Sequence, residues 1–157
     1  MQGSLEVIAE LNTALKGELI ATSQYFLHAS LCKKWGYLRL YKKIYDESIE
    51  EMKHAEQLID RILFLEGTPI LNEPFTLAIG KDVREILEND LVLEREGLPE
   101  LKKAVGLCLE QADTGTRELL EHIVVSAEEH IQWLEAQTSL LRQVGYENYC
   151  AQQILAA

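Results

Sequence analysis

Glu51 and His54 stand three residues apart in the run Glu51-Met52-Lys53-His54, so on a helix both project from one face. Alone, a Glu-x-x-His pair says little, since a solvated pair looks the same. The wider spacing sharpens it. Glu94 follows Glu18 by 76 residues, and His130 follows His54 by the same 76. Two carboxylates and two imidazoles related by an internal repeat are the donors of a dinuclear centre in a four-helix bundle. Hard carboxylate oxygens there bridge and charge-balance two iron ions, and imidazoles cap the ends. The repeat fails once. At 76 residues beyond Glu51 stands Ala127, within Ser126-Ala127-Glu128-Glu129-His130. Glu128 falls about 200° and Glu129 about 100° round the helix from His130. Neither takes the place that Glu51 holds relative to His54. The second half therefore supplies Glu94 and His130 but lacks the bridging carboxylate.

Chance spacing of surface residues is the competing explanation. Against it, the flanking Leu19, Ile20, Leu91, Leu93 and Ile131 belong to apolar stripes. Neighbouring positions each admit two readings. Met52 points about 100° away from Glu51, with Tyr45 and Ile49 on its own helix and Leu19, Ser23 and Phe26 on another. Such an outward apolar strip suggests a subunit interface. From spacing Met52 is a packing residue, although a thioether can also ligate haem iron. Asp46 and Glu50 precede His54 by two turns and one, as a solvated ridge or as a path for cations. Tyr25, seven residues after Glu18, is either a core tyrosine or a neighbour of the metals. Trp35 and Trp133 read as structural.

The elements that must hold these residues are helices. Apolar residues recur at helical spacing, as in Leu5, Ile8, Leu11, Leu15, Leu19 and Phe26, and strand-like alternation is not evident. The pattern predicts four long helices over 5–34, 38–65, 83–111 and 114–144, and a short fifth over 147–155. Ser4, Asp82 and Asp113 suit N-caps, with Glu85 completing a capping box. Gly67 and Gly145 suit the left-handed residue that closes a helix. Pro99, after Gly97-Leu98, predicts a kink or break over 95–99, because an interior proline costs about 3 kcal/mol. Short links near 35–37 and 112–113 make two antiparallel hairpins. The link over 66–82 reaches about 56 Å when extended, longer than a helix of about 42 Å. Helices 2 and 3 can therefore run parallel, which is an all-α, ferritin-like four-helix bundle with one long crossover. The whole chain, 1–157, reads as one such domain.

Composition agrees and excludes other classes. The 157 residues are 47% hydrophobic and 26% charged, an ordinary globular balance. The three cysteines, Cys32, Cys108 and Cys150, show no CxxC spacing and read as reduced thiols rather than a disulfide or zinc framework. No apolar run reaches the roughly 18 residues of a membrane span, and MQGSLEVIAELN lacks the features of a secretory signal. The expected location is cytoplasmic. Net charge −11 disfavours nucleic acid and favours cations.

The chain resembles the bacterioferritin family over nearly its whole length. The segments that carry the likeness are GELIATSQYFLHA (17–29), ESIEEMKHAEQLIDRILFLEG (47–67), DLVLE (90–94), EEHIQWLE (128–135) and ENY (147–149). The resemblance implies an iron-storage subunit of a 24-chain shell, with a dinuclear ferroxidase centre in each subunit. It implies haem b at each twofold interface, held by a methionine from each subunit. Glu18, Glu51, His54, Glu94 and His130 match the family's iron ligands, and Tyr25 its tyrosine beside the iron. Met52 matches the haem ligand, and Leu19, Phe26, Tyr45, Ile49 and Leu71 are similar to haem-pocket positions. The family's sixth ligand, a glutamate, is Ala127 here. Its inner-surface site commonly pairs His with Asp; Asp46 and Glu50 take those places.

Three functions follow as expectations. The first is an iron-storing subunit whose ferroxidase centre Ala127 weakens, as a homo-oligomer of 24, with a ferredoxin-type reductant for iron release. The second is a catalytically silent, haem-bearing subunit that co-assembles with a competent second bacterioferritin subunit. The third, a small di-iron oxygenase or rubrerythrin-like peroxidase, lacks a CxxC module and has no use for the Met52 strip.

Overall fold

Three of the five helices start on a polar side chain, and the first four stop at a residue with positive φ. The computed structural model describes residues 1–155; the last two positions of the domain expected over 1–157 lie outside the described residues. Five helices follow in order: α1 Leu5–Trp35, α2 Leu38–Phe64, α3 Val83–Glu110, α4 Thr114–Val144 and α5 Tyr146–Gln153. Ser4 caps α1 by accepting from the Val7 N–H at 3.4 Å. Asp82 caps α3 by accepting from Glu85 N–H at 2.9 Å, and Glu85 in turn accepts from Lys81 N–H at 2.7 Å. Asp113 caps α4 through Thr116 N–H at 3.1 Å. Each bond satisfies one of the free donors of a first turn.

The ends correct two expectations. Gly36 closes α1 in the left-handed region at φ 89, but at the end of α2 the left-handed residue is Glu66, at φ 64, not Gly67. Gly67 comes one residue later, its N–H donating to Ile62 O at 2.9 Å. Packing requires that glycine, because a Cβ would lie 2.7 Å from Ile8 Cγ2. α3 ends likewise on Ala112, at φ 55. Gly145 has φ 88 with ψ 152, a glycine region but not a left-handed helical one. Inside α3, the break that was one of the two outcomes expected at Pro99 does not occur: the helix runs unbroken for 28 residues. Arg95, Glu96, Gly97, Pro99 and Glu100 are exposed, so the carbonyl that loses its partner to the proline can face water.

Cross-helix bonds set the directions. Gly3 N–H donates to Leu65 O at 3.0 Å, which puts the start of α1 beside the end of α2. Gln24 meets Asp90 while Lys103 meets Glu10, so α1 and α3 are antiparallel. α2 and α3 are therefore parallel, as the long link requires. That crossover climbs along α1, bonding Asn12 at Thr68 and Ile70, Lys16 at Glu73, Gln24 at Ala78 and His28 at Gly80. At its top Asp90 accepts from Gln24 at 2.9 Å and pairs with His28 Nδ1 at 2.8 Å. Since His28 Nε2 accepts from Gly80 N–H at 3.0 Å, Nδ1 carries the ring proton.

The core is split by a polar layer. One apolar cluster joins Ala21–Cys32 of α1, Leu40 and Ile44 of α2, Val83–Leu91 of α3, and Leu134 and Leu141 of α4, with Tyr149 and Cys150 of α5. The other joins Val7–Leu15, Ala55–Leu65, Leu101–Cys108 and Leu120–Ala127. Between them each long helix contributes polar groups: Glu18, then Glu51 and His54, then Glu94, then His130.

Candidate metal centre

Burying carboxylates and imidazoles at the middle of a bundle is costly unless their charge is matched. Glu18, Glu51, His54 and His130 are all buried, and the Glu94 side chain is only 9% exposed. The four helices bring all five together. His54 Nδ1 lies 3.5 Å from Glu51 Oε2 and 3.7 Å from Glu18 Oε2. Both His54 Nδ1 and Glu18 Oε2 are buried without a hydrogen-bond partner. Glu18, Glu51 and His54 place one donor atom each within 4.8 Å of the others, a spacing that can hold a cation. On the opposite side His130 Nδ1 lies 3.0 Å from Glu94 Oε1. Tyr25 donates its hydroxyl to that same Glu94 oxygen and meets the His130 ring edge-on, with centroids 5.2 Å apart. Trp133 stacks on the His130 ring, with centroids 6.2 Å apart.

One member of the cluster escaped the sequence reading. Glu47, one turn before Glu51, brings Oε2 to 3.7 Å from His130 Nδ1. Glu47, Glu51 and His130 form a second donor group with all atoms within 4.8 Å, so Glu51 belongs to both groups. Its spacing from Glu51 and His54, four and seven residues, puts all three on one helical face and was the available signal.

The other expected residues lie outside this cluster. Asp46 is exposed and paired with Lys42 one turn back. Glu50, half exposed, approaches His54 Nε2 at 3.9 Å and accepts from Ser126 Oγ at 3.1 Å. Glu128 pairs with Lys102, and Glu129 is exposed, in keeping with their angular positions. Met52 and Phe26 are 50% and 52% exposed, and Phe26 lies 6.1 Å from the Tyr45 ring. Leu19 and Ile49 are half-buried, and Leu71 is exposed.

Ionisation follows from this crowding. Burial pushes the Glu51 carboxyl up to about 8, helped by Glu18 and opposed by His54. Burial pulls His54 down, but Glu18 and Glu51 outweigh it and raise the imidazole to about 10. Burial raises Glu94 against the influence of His130. Burial lowers His130, yet Glu94 lifts it overall. Burial and the Glu94 charge hold the Tyr25 phenol well above its ordinary value. With no cation bound the cluster thus retains protons that a metal would displace. A cavity of about 240 Å³ opens onto it between α1 and α3, lined by Glu18, Glu51, His54, Glu94 and Ala127, with Glu10, Glu96 and Glu100 further out.

Two antiparallel hairpins joined by one long crossover, enclosing paired carboxylates and histidines, make a ferritin-like bundle. A model of the ferritin-like domain matches residues 8–144. A bacterioferritin of Mycolicibacterium paratuberculosis is 45% identical over 152 residues, covering 97% of this chain and 96% of that protein. A bacterial ferritin of Pseudomonas aeruginosa is 44% identical over 155 residues, 98% of this chain and 100% of that one. A bacterial ferritin of Synechocystis sp. is 41% identical over 155 residues, 98% and 99% of the two chains. The chain belongs to the ferritin-like family and, within it, to the bacterioferritins.

Proposed function

We propose that this chain is an iron-storage subunit that oxidises Fe(II) at the buried cluster and passes Fe(III) to a mineral inside a 24-chain shell. The observation that carries this is the pair of orphaned buried atoms, Glu18 Oε2 and His54 Nδ1. Buried polar atoms left without a hydrogen bond call for an explanation, and a cation that both would face supplies one. Fe(II) is here the substrate. Glu18, Glu51 and His54 bind one ion; Glu94 and His130, sharing Glu51, bind the second. Arriving ions displace the protons of Glu51 and the imidazoles. Each ion then gives up one electron to O2 or peroxide. Tyr25 orients Glu94 through its hydroxyl. Glu50, beside the outer nitrogen of His54, fits a role in cation transit better than the Lys42-paired Asp46.

Haem b is compatible with the outward face of α1 and α2. The half-exposed Met52 thioether, on the α2 face of partly buried Tyr45 and Ile49, with half-exposed Phe26 6.1 Å from the Tyr45 ring and partly buried Leu19 on α1, would offer a soft donor in an apolar surround. Met52 would ligate the iron, one from each subunit of a twofold pair. When bound, the group supplies an electron path between the shell exterior, where a ferredoxin-type protein could serve as reductant, and the stored iron.

Ala127 is buried and offers no oxygen, so the second position has one α4 donor fewer than its counterpart on α2. We expect oxidation by the homopolymer to be slower than in an Ala127→Glu variant, by roughly 10-fold, in stopped-flow absorbance at two Fe(II) per subunit. Equal rates would overturn the weakening. Ala127 also favours a second reading, a silent haem-bearing subunit in a mixed shell. Burst oxidation by the homopolymer, abolished in Glu51→Ala, argues for the first reading. Its absence until a competent second subunit is co-assembled argues for the other.

A further inference from the structure

We propose that Glu47 is a ligand of the second metal position, taking over from α2 the role that Ala127 cannot fill from α4. The proposal rests on the dinuclear reading above and adds a donor to it. Three observations meet here. First, Glu47 Oε2, Glu51 and His130 already converge within bonding reach of a single ion. Second, the two carboxylate oxygens of Glu47 are held differently. Oε1 bonds Lys43 Nζ at 2.8 Å, and Lys43 is itself seated over the Trp133 ring at 5.0 Å. Oε2 is left facing His130. Lys43 thus orients the carboxylate rather than sealing it off. Third, α4 provides no rival oxygen, since Ser126 bonds Glu50 and Glu128 pairs with Lys102.

Charge points the same way. Two divalent ions carry four positive charges. Glu18, Glu51 and Glu94 supply three negative ones, and Glu47 adds a fourth that Lys43 partly offsets. In a buried centre a residual charge is expensive, so a fourth carboxylate favours retention of the second ion. Glu18 Oε2 and His54 Nδ1, buried without a hydrogen bond beside the shared Glu51, fit the same reading of the pocket.

Cobalt(II) alone, added to the assembled protein without oxidant and followed by its visible absorption and by calorimetry, tests the assignment. We expect two tight sites per subunit in the unaltered chain. Glu47→Ala should keep the first and weaken the second by roughly 10-fold or more. In an Ala127→Glu background Glu47→Ala should cost the second site much less than in the unaltered chain, a non-additivity that a merely structural role for Glu47 would not give. Two sites unaffected by Glu47→Ala would overturn the proposal and leave the dinuclear reading intact. Only one site in the unaltered chain, indifferent to Glu47, would also overturn it. No tight site at all, with the same result for Glu51→Ala, would sink the dinuclear reading itself.

Discussion

Glu51 bears more of the site than any other side chain, because it stands in both donor groups. Its carboxyl has an ordinary value of 4.5 and sits at about 8 in the fold. Ionising it therefore costs the folded state more than the unfolded one, and metal-free stability falls as pH rises from about 4.5 toward 8. His54 moves from 6.5 to about 10. The stability it adds is complete below 6.5 and is lost as pH rises through 10. Both effects have the same sign. The metal-free protein should melt at a lower temperature at pH 9 than at pH 6, and Glu51→Gln should flatten that slope. Cobalt(II) should close the gap, because the cation takes the place of the protons. A metal-free melting temperature that rises over this range would contradict the assignment. Most of these residues were readable beforehand because a 76-residue repeat aligned them. Glu47 was not, for a physical reason: its repeat partner is Ile123, a buried core residue. The repeat therefore does not mark it, and only its spacing from Glu51 and His54 on one helical face could. Gln24, His28 and Asp90 were missed because their partners lie on other segments.

At the scale of the helix, periodicity and capping chemistry located all five elements to within two residues. Local composition misjudged the places where tertiary demands win. Gly67 looked like a helix stop and is a packing glycine, while Glu66 and Ala112 take the left-handed turns at φ 64 and 55. A side chain in that region costs about 1–2 kcal/mol. Ala112 is exposed, so nothing is lost by trimming it. Ala112→Gly should raise stability by about 0.5–1 kcal/mol, or roughly 1–4 °C in melting temperature. Calorimetry showing a lower melting temperature would mean that the turn is not strained. Pro99 is the opposite case. A residue that breaks helices in isolation is carried through by flanking turns already anchored at Leu91 and Leu101.

For the whole molecule, the path of the crossover was legible only as a length. Its seat along α1 depends on Asn12, Gln24 and His28, none of which announces a partner 52 to 58 residues away. The half-exposed strip of Phe26 and Met52 lies on one outward face, which a lone chain gains nothing from showing to water. Light scattering on the purified protein should give a mass near that of 24 chains. Met52→Leu should keep that mass and lose the visible absorption of haem b after expression with ample haem. A monomeric unaltered protein, or haem retained by the variant, would refute these respective expectations.

On the proposed function Glu96 and Glu100, with the Lys103-paired Glu10 beside them at the mouth of the 240 Å³ cavity, would also separate the two reactants by kind. Their field would draw a divalent ion inward and be indifferent to a neutral gas. Added salt shortens the range of that field to about 8 Å near 0.15 M. Raising ionic strength should therefore slow iron uptake steeply while leaving the oxygen dependence of the reaction unchanged. Replacing Glu96 and Glu100 together by Gln should remove most of that salt sensitivity. The rim would then work as an electrostatic funnel, admitting its cargo by charge and its oxidant by diffusion.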